Sequence, residues 1–341
     1  MSKKLKLAII FGGKSGEHEI SIVSARSIIK EVDKVKYEVK EILITKKGGW
    51  LVSGKACSIS EALDGVDVAF PVLHGPYGED GTIQGLFEIV GVPYVGSGVL
   101  ASAVAMDKAL AKDLFKANSL PVVDSFVVKK LHWGKEENSI VNKIEEKIGF
   151  PSFVKPANLG SSVGVSKVKK KDDLNKAIEE AFEYDNKVLV EKAVQNAREI
   201  EVAVLGNESP IPSVCGEIVP SQEFYSYEAK YVDESSELII PAKITEKLSK
   251  EIRSLAIMAY KAVDGSGMAR VDFLFDDKSE NIYLNEINTI PGFTSISMYP
   301  KLWEKSGLPY PKLINRLIQL GIDRFNSKNS LRVDYPSKIN P

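Results

Sequence analysis

The stretch RVDFLFDDKSENIYLNEIN, residues 270–288, constrains the fold of this chain most. Two runs of alternating side chains flank the polar turn DDKSEN, which predicts an antiparallel β-hairpin. If the turn pairs Asp272 with Glu286, Arg270 lies opposite Asn288 and all four side chains share one face. A shift of one residue would scatter them over both faces of the sheet. The register therefore decides whether the hairpin carries a site.

The residue types on this face suit a divalent cation and a phosphate. Carboxylate and amide oxygens are the hard ligands that Mg²⁺ prefers, and Mg²⁺ usually brings substrate phosphates with it. A shared carboxylate can also bridge a second metal ion. A solvated strand face is the alternative, but the same register adds Leu274 and Leu284 to this face. We therefore favour a partly buried functional site.

Composition narrows the class of protein. The chain has 341 residues, 44% of them hydrophobic, which is enough for two or three domains. Its 45 basic and 46 acidic residues give no reason to expect a nucleic-acid or membrane partner. Cys57 and Cys215 have no paired spacing, which fits a reducing cytoplasm, and no apolar run is long enough to cross a membrane.

The order of patterns along the chain predicts three units. Residues 1–97 alternate strands (LKLAIIFGG, YEVKEILIT, VDVAFPVL, VPYVG) with helices (SIVSARSIIKEV, DGTIQGLFEIVG), which predicts an open parallel α/β domain. Residues 98–193 open with a single predicted helix, ASAVAMDKALAKDLFKANSLP, and continue as a small α+β unit. Residues 194–341 contain the hairpin and a last predicted helix, YPKLINRLIQLGIDRF.

Two loops stand out. The loop NLGSSVG at residues 158–164 follows Lys155, and its backbone N–H groups could cradle phosphates; an ordinary hairpin turn is the alternative. The segment SQEFYSYEAKYVDESSELIIP, residues 221–241, is long and aromatic, which favours a lid over simple disorder. Of the three histidines, His18 and His74 follow predicted strands, at the edge where open α/β sheets bind ligands; structural histidines are the alternative.

Six motifs, in this order and spacing, resemble those of the D-alanine–D-alanine ligases, which are enzymes of the ATP-grasp type. They are GGKSGEHEIS, HGPYGEDGTIQG, MDK, VKPANLGSSVGVSKV, EAKY, and ARVDF with NEINTIPGFTSISMYP. The resemblance covers nearly the whole chain. It implies an N-terminal α/β domain at 1–97 that binds the first D-alanine, a small ATP-grasp lobe at 98–193, and a larger one at 194–341. The larger lobe would carry the metal site and a lid at 221–240.

The resemblance also implies the reaction. ATP would phosphorylate the carboxylate of the first D-alanine, and the amine of the second would attack the acyl phosphate. The products would be D-alanyl-D-alanine for peptidoglycan precursors, ADP and phosphate. Two Mg²⁺ or Mn²⁺ ions would assist. A cytoplasmic homodimer is expected, with small-molecule substrates and no nucleic-acid or membrane partner.

The resemblance assigns site residues by position. Those expected in catalysis are Glu17, Ser161, Tyr231 and Arg270. Those expected to bind the two D-alanines are Glu17, His74, Ser297 and Met298. Those expected at the nucleotide are Lys108, Lys155, Ser161, Glu191, Lys192, Ala193, Val194, Glu199, Phe224 and Lys230. The expected metal ligands are Asp272, Glu286 and Asn288.

Two alternatives stay open. A related ligase could use D-lactate or D-serine as the acceptor, although Tyr231 in EAKY resembles the dipeptide-forming type. A regulatory nucleotide-binding module without catalysis would show gaps among the metal ligands or lysines, and no such gap is visible in the sequence.

Overall fold

Three separate β-sheets organise the part of the chain that the computed structural model describes, residues 3–219, 237–294 and 296–332. Each sheet corresponds to a different stretch of sequence, and helices cover their faces. The predicted mixed α/β architecture is confirmed. The boundaries at 97/98 and 193/194 stay predictions. No helix within the described ranges is long and apolar enough to span a membrane.

The first sheet has the order β4-β3-β2-β1-β5. Its strands are β1 (Leu5–Gly12), β2 (Tyr37–Ile44), β3 (Trp50–Val52), β4 (Lys55–Cys57) and β5 (Val68–Val72). β1 pairs in parallel with β2 and β5, but β3 and β4 are antiparallel. The predicted open parallel arrangement is present in β1, β2 and β5, and two antiparallel strands that were not predicted extend the sheet at one edge. The turn after β2 is too short for the crossover that a parallel connection needs.

The helices of this region are α1 (His18–Glu31), α2 (Ile59–Leu63) and α3 (Thr82–Val90). The strand predicted at VPYVG is wrong, because only one bridge forms there, between Ala69 and Tyr94. Gly96 follows with φ +100°, a conformation that bends the chain away from the sheet before a ladder can extend.

The second sheet is antiparallel with the order β6-β9-β7-β8. Its strands are β6 (Ser125–Lys129), β7 (Ser152–Pro156), β8 (Ser166–Val168) and β9 (Lys187–Lys192). The second sheet has a core of its own, to which the helices α6 (Lys130–Lys147) and α7 (Leu174–Ala181) contribute. Ile144 and Val190 are fully buried in it. The sequence patterns did not predict α6, whose apolar residues are spaced too unevenly to mark a continuous stripe.

Two helices precede this sheet where one was predicted: α4 (Val99–Met106) and α5 (Lys108–Ala117). Asp107 breaks the helix with φ −83° and ψ 95°. Its carboxylate then caps α5 by accepting a hydrogen bond from the Leu110 N–H at 3.1 Å. Asp107 also pairs with Lys187 of β9, so the break ties the start of α5 to the second sheet.

The third sheet is antiparallel with the order β12-β11-β10-β13-β14. Its strands are β10 (Arg198–Leu205), β11 (Ile211–Val219), β12 (Glu237–Ile239), β13 (Met268–Asp276) and β14 (Asn281–Asn288). The remaining helices are α8 (Glu246–Ala262), α9 (Met298–Lys305) and α10 (Tyr310–Asn329). Residues of α4, α5 and α8 share one core with β10, β13 and β14.

The predicted register of the hairpin is confirmed. Arg270 pairs with Asn288, and Asp272 pairs with Glu286. A β-bulge follows, because Phe273 pairs with Leu284 and leaves Asn285 as the extra residue.

The bulge overturns one detail of the predicted face. Leu284 is fully buried in the core beneath the hairpin, whereas Leu274 lines a cavity on the other face. The prediction that both leucines share the face is therefore wrong. An extra residue between paired positions changes which face the following side chain takes.

Apolar residues join the first and third sheets. Leu7, Ile9 and Phe70 of the first sheet belong to one buried cluster with residues of β10, α9 and α10. A crevice between the sheets therefore has rigid walls, which is the setting that a ligand site needs.

Candidate active site

Two cavities meet above the hairpin. The first, of about 310 Å³, lies between the second and third sheets. The second, of about 570 Å³, lies between the third sheet and the loops that follow β1 and β5. Residues that line both cavities form a shared wall: Lys108, Gly160, Ser161, Glu201, Arg270 and Glu286. A group bound in one cavity can therefore reach a group bound in the other.

Arg270 is held at this wall by carboxylates on both sides. Its Nε and Nη2 donate to the two oxygens of Asp272 at 2.8 and 2.7 Å. Its Nε also lies 3.2 Å from Oε2 of Glu201, on β10. Burial lowers the pKa of Arg270, but the two carboxylates outweigh burial and raise it well above its usual range. The guanidinium is therefore permanently charged and fixed in direction.

Lys108 joins the wall from the start of α5. Its Nζ lies 3.3 Å from Oε2 of Glu286 and donates to the carbonyl of Leu159 at 2.8 Å. Its backbone N–H donates to the carbonyl of Ala157 at 2.9 Å. These contacts fix the Gly/Ser loop against α5, whose amino-terminal end is favourable for an anion.

A second charge cluster lies deeper in the first cavity. Glu191 of β9 forms ion pairs with Lys112 and Lys155, one at each carboxylate oxygen. Burial raises the pKa of Glu191, but the two lysines outweigh it and lower the value to about 2. Burial lowers the pKa of Lys155, and Glu191 outweighs it, so the net shift is upward. Glu191 and Lys155 are therefore held in their charged forms, whereas burial outweighs Glu191 at Lys112 and lowers the pKa of that lysine.

The Gly/Ser loop also closes over the second cavity. Ser161 donates a hydrogen bond to Oε1 of Glu17, which is buried at the start of α1. Ser161 and Ser162 have φ of 53° and 58°, a strained conformation for serine that often marks functional loops. Gly75 follows β5, and a Cβ there would lie 2.7 Å from Oε2 of Glu17.

His74 lies behind Glu17. Its Nδ1 is 3.2 Å from the carbonyl of Ile290 and 3.8 Å from Oε1 of Glu79, and its Nε2 is 3.4 Å from Oγ of Ser24. Burial lowers the pKa of His74, but the neighbouring carboxylates of Glu79 and Glu17 outweigh it and raise the value. The protonated form of His74 is therefore favoured beside Glu17.

The far end of the second cavity is built from the loop before α9. Oγ of Ser297 accepts from the Thr294 N–H at 3.0 Å and lies 2.8 Å from Oγ1 of Thr294. Met298 is the buried first residue of α9. Asn288 turns its Oδ1 to the N–H of Ile290 at 3.0 Å and also lines the cavity.

Family models match most of the chain. The model for the D-ala D-ala ligase C-terminus matches residues 114–319, and the model for the D-ala D-ala ligase N-terminus matches residues 6–64 and 53–97. The chain belongs to the D-alanine–D-alanine ligase family. The resemblance seen in the sequence motifs is thereby confirmed.

Relatives extend the match to nearly the whole of this ligase-family chain. The D-alanine–D-alanine ligases of Caldicellulosiruptor bescii and Chloroherpeton thalassium are 51% and 49% identical. The alignments cover 96% and 98% of this chain and 98% and 100% of those proteins.

Solved structures agree. The D-alanine–D-alanine ligase of Coxiella burnetii superposes with a TM-score of 0.85 at 37% identity, covering 96% of this chain and 97% of that one. The VanG D-Ala:D-Ser ligase of Enterococcus faecalis gives 0.84 at 37% identity, covering 94% and 100%.

The family member's structure brings most of the expected site residues together. Those that line the first cavity are Lys108, Lys155, Ser161, Glu191, Lys192, Val194, Glu199, Arg270, Asp272 and Glu286. Those that line the second are Glu17, His74, Lys108, Ser161, Arg270, Glu286, Asn288, Ser297 and Met298. Ala193 is outside both linings, and its N–H donates to the carbonyl of Pro151 at 3.1 Å. Phe224, Lys230, Tyr231 and the lid residues up to 236 lie outside the described residues.

Three further charged residues of this ligase-family fold were not expected from its sequence. Glu201 contacts Arg270, Lys112 contacts Glu191, and Glu79 faces His74. The sequence pattern could have indicated Glu201, since strand alternation puts it on the same face as Glu199. The pattern could also have indicated Lys112, since it follows Lys108 by one helical turn on the side where Ala111 and Phe115 are buried.

The metal ligands expected for the family fit a hard cation. Asp272, Glu286 and Asn288 offer only oxygen atoms, and the confirmed register brings them to one face. Within the described ranges, no group of three or more His, Cys, Asp or Glu side chains is arranged to hold a metal. Two carboxylates and one amide would be the contribution of these expected ligands, which would suit Mg²⁺ ligated in addition by phosphate oxygens.

Proposed function

We propose that this chain uses ATP to join two D-alanine molecules through an acyl-phosphate intermediate. The relatives that match over nearly the whole chain carry the name of this activity. The observation that carries the proposal is the shared wall of the two cavities, where Lys108, Arg270 and Glu286 line both. A phosphoryl donor in one cavity and a carboxylate acceptor in the other would meet there.

The first cavity suits the nucleotide. Lys155 and Lys108 would neutralise its phosphates, and the N–H groups of the Gly/Ser loop would add hydrogen bonds. Glu191 to Val194 would frame the adenine and Glu199 would hold the ribose. Charge stabilisation and positioning carry most of the catalysis of phosphoryl transfer, so these contacts account for much of the expected rate.

The second cavity suits two small amino acids. Glu17 would bind the ammonium group of the first D-alanine. Ser161 would orient the carboxylate of Glu17, and His74 would lie nearby. Ser297 and Met298 would contact the second D-alanine. Arg270 would stabilise the oxyanion that forms when the amine attacks, because a fixed guanidinium loses little free energy to reorganisation.

Asp272, Glu286 and Asn288 would hold two Mg²⁺ or Mn²⁺ ions. When bound, these ions would offset the negative charge that gathers on the phosphates. In this structure Asp272 pairs with Arg270, and Glu286 pairs with Lys108. Bound metal ions would replace these two cations at the carboxylates, and the released cations would contact the nucleotide.

We also propose a homodimer that works in the cytoplasm, where ATP is available. Ile89 and Val90 at the end of α3, and Val99 and Leu100 at the start of α4, are exposed. The two helices pack against each other, so an apolar surface of this kind suits a second copy of the chain.

The test is phosphate release by the purified protein with ATP and Mg²⁺. We expect release with D-alanine and none with L-alanine, with a D-alanyl-D-alanine product in mass spectrometry. Parallel reactions with D-alanine plus D-lactate or D-serine examine the other acceptors. Release that does not depend on D-alanine, or a mixed product in preference to the dipeptide, would contradict the proposal.

A further inference from the structure

The buried cluster of Lys112, Lys155 and Glu191 contains two cations and one anion. Nζ of Lys112 lies 2.8 Å from Oε1 of Glu191, and Lys155 pairs with the other oxygen. The side chains of Lys112 and Glu191 are only 1% and 4% exposed. One carboxylate is therefore shared by two lysines where water cannot supply a substitute partner.

The two lysines differ in what they can reach. Lys155 lines the first cavity, so its ammonium group is accessible to a bound ligand. Lys112 lines neither cavity and is sealed beneath the wall by α5 and the hairpin. Only Lys155 can exchange Glu191 for a phosphate.

We propose that Lys112 is a positioning residue that acts as the permanent counter-ion of Glu191 and thereby releases Lys155 to the phosphates of the nucleotide. This inference rests on the proposed function for the role of Lys155. Without Lys112, movement of Lys155 would leave a buried carboxylate without a cation, which is strongly unfavourable. With Lys112 in place, Glu191 keeps one partner in both states.

A second contact holds Lys112 in this position. Its Nζ donates to the carbonyl of Asn285 at 3.1 Å. Asn285 is the extra residue of the β-bulge, and Glu286 at the shared wall follows it directly. Lys112 therefore connects the strand that carries Glu191 with the strand that carries Glu286, and its ammonium group cannot follow Lys155 into the cavity.

The experiment compares Lys112→Met with Lys116→Met. Methionine preserves the length and apolar stem of lysine, and Lys116 is exposed one turn later on α5. Dissociation constants are measured by displacement of a fluorescent nucleotide, using ADP and adenosine as competitors. We expect Lys112→Met to raise the constant for ADP by at least about tenfold, a loss of about 1.4 kcal/mol.

Adenosine serves as the ligand control, because it has no phosphate for Lys155 to contact. Its dissociation constant should stay within about twofold in Lys112→Met, which is within ordinary surface-mutation effects. Lys116→Met should leave both constants unchanged. Equal weakening of ADP and adenosine, or no weakening of ADP, would overturn the assignment.

A second set of variants distinguishes the counter-ion role from a general loss of folding in Lys112→Met. Glu191→Gln removes the carboxylate, so adding Lys112→Met to it should cost no further ADP affinity. The double variant replaces the ion pair with two neutral groups, which proteins tolerate better than one unpaired charge. Additive losses in this cycle would reject the counter-ion role. Wild-type ligation and ADP binding are measured alongside, so a failure of the proposed function is recognised separately.

Discussion

Two charged residues that line the first cavity have more than one partner of opposite charge. Arg270 contacts both Asp272 and Glu201, and Glu191 contacts both Lys112 and Lys155. A group with two partners can give up one to a ligand and remain compensated by the other. This arrangement lets a site bind highly charged molecules without leaving a buried charge unpaired.

Loss of a single carboxylate at the hairpin should therefore affect catalysis more than folding. Asp272→Asn keeps the shape of the side chain but removes the charge expected to balance a metal ion. We expect phosphate release to fall by at least about a hundredfold, since a metal contributes several kcal/mol to the transition state. The free energy of unfolding should fall by only about 1–3 kcal/mol, because Arg270 keeps Glu201.

The control for this variant is Asp276→Asn. Asp276 lies at the end of the same strand, and its carboxylate accepts hydrogen bonds from Lys278 and Ser279 of the polar turn. Its replacement should leave turnover unchanged. Full activity of Asp272→Asn at saturating Mg²⁺ would contradict the assignment of Asp272 as a metal ligand.

The lowered pKa of Glu191 predicts a pH effect on stability. A carboxyl that titrates at about 2 in the folded chain, against about 4.3 unfolded, stabilises the fold above the unfolded value. This contribution, of about 3 kcal/mol, is lost as the pH falls from about 4.3 toward 2. Urea unfolding at several pH values should show a shallower decline in Glu191→Gln than in the wild type. Parallel declines would mean that the ion pairs do not shift this carboxyl.

At the scale of single elements, the bulge in β14 makes a clear prediction. Leu284→Ala should lower the free energy of unfolding by about 2–5 kcal/mol, because Leu284 is fully buried in the core. Leu274→Ala should cost about 1 kcal/mol or less, since its side chain faces the first cavity. Urea denaturation measures both. Similar losses would show that the two leucines share one face after all.

The loop after β5 predicts a specific effect on the first substrate. Gly75 has φ +72°, and the Cβ of alanine would meet Oε2 of Glu17 at 2.7 Å. Gly75→Ala should displace this carboxylate and raise the KM for D-alanine by about tenfold or more, while the KM for ATP changes little.

Gly85→Ala is the matched control. Gly85 lies inside α3, where an added Cβ has no atom within 4 Å. Alanine should leave both KM values unchanged and stabilise the chain by up to about 1 kcal/mol, because it favours helix. If Gly75→Ala behaves in the same way, the position of Glu17 does not depend on this loop.

Local periodicity predicted most elements and the pairing at the heart of the hairpin. The pairs Arg270–Asn288 and Asp272–Glu286 followed from alternation and one turn. The bulge at Asn285 did not, because nothing in the alternation marks which residue is extra. Its position depends on packing, which buries Leu284, and on the hydrogen bond from Lys112.

Features that depend on contacts between distant segments were also missed. The break at Asp107 is stabilised by Lys187, from another sheet, so the continuous apolar pattern around it predicted one helix. Glu201 and Lys112 are part of the site only because the third sheet and α5 bring them beside Arg270 and Glu191. Such pairings cannot be derived from local spacing.

At the scale of the whole molecule, the two cavities predict which segments become protected from hydrogen exchange as each ligand is added. ADP with Mg²⁺ should slow exchange in β7, β9 and β13, which belong to two different sheets but line one cavity. Adding a phosphinate mimic of the dipeptide intermediate should extend protection to the loops around Glu17 and Ser297.

The surface of α6 near His132 serves as the reference for that measurement, because it borders neither cavity. Its exchange should be the same in all samples. Protection confined to one sheet would contradict a nucleotide site between the second and third sheets.

The last described helix closes the chain onto its first sheet. Leu313, Ile314 and Leu317 of α10 share a buried cluster with Leu7 and Phe70, and Arg324 stacks on Tyr94. During synthesis, the amino-terminal strands leave the ribosome long before α10 does. The apolar face of that sheet that packs on α10 therefore stays incompletely covered until α10 has been translated. An apolar face that is exposed for that interval is a natural substrate for chaperones.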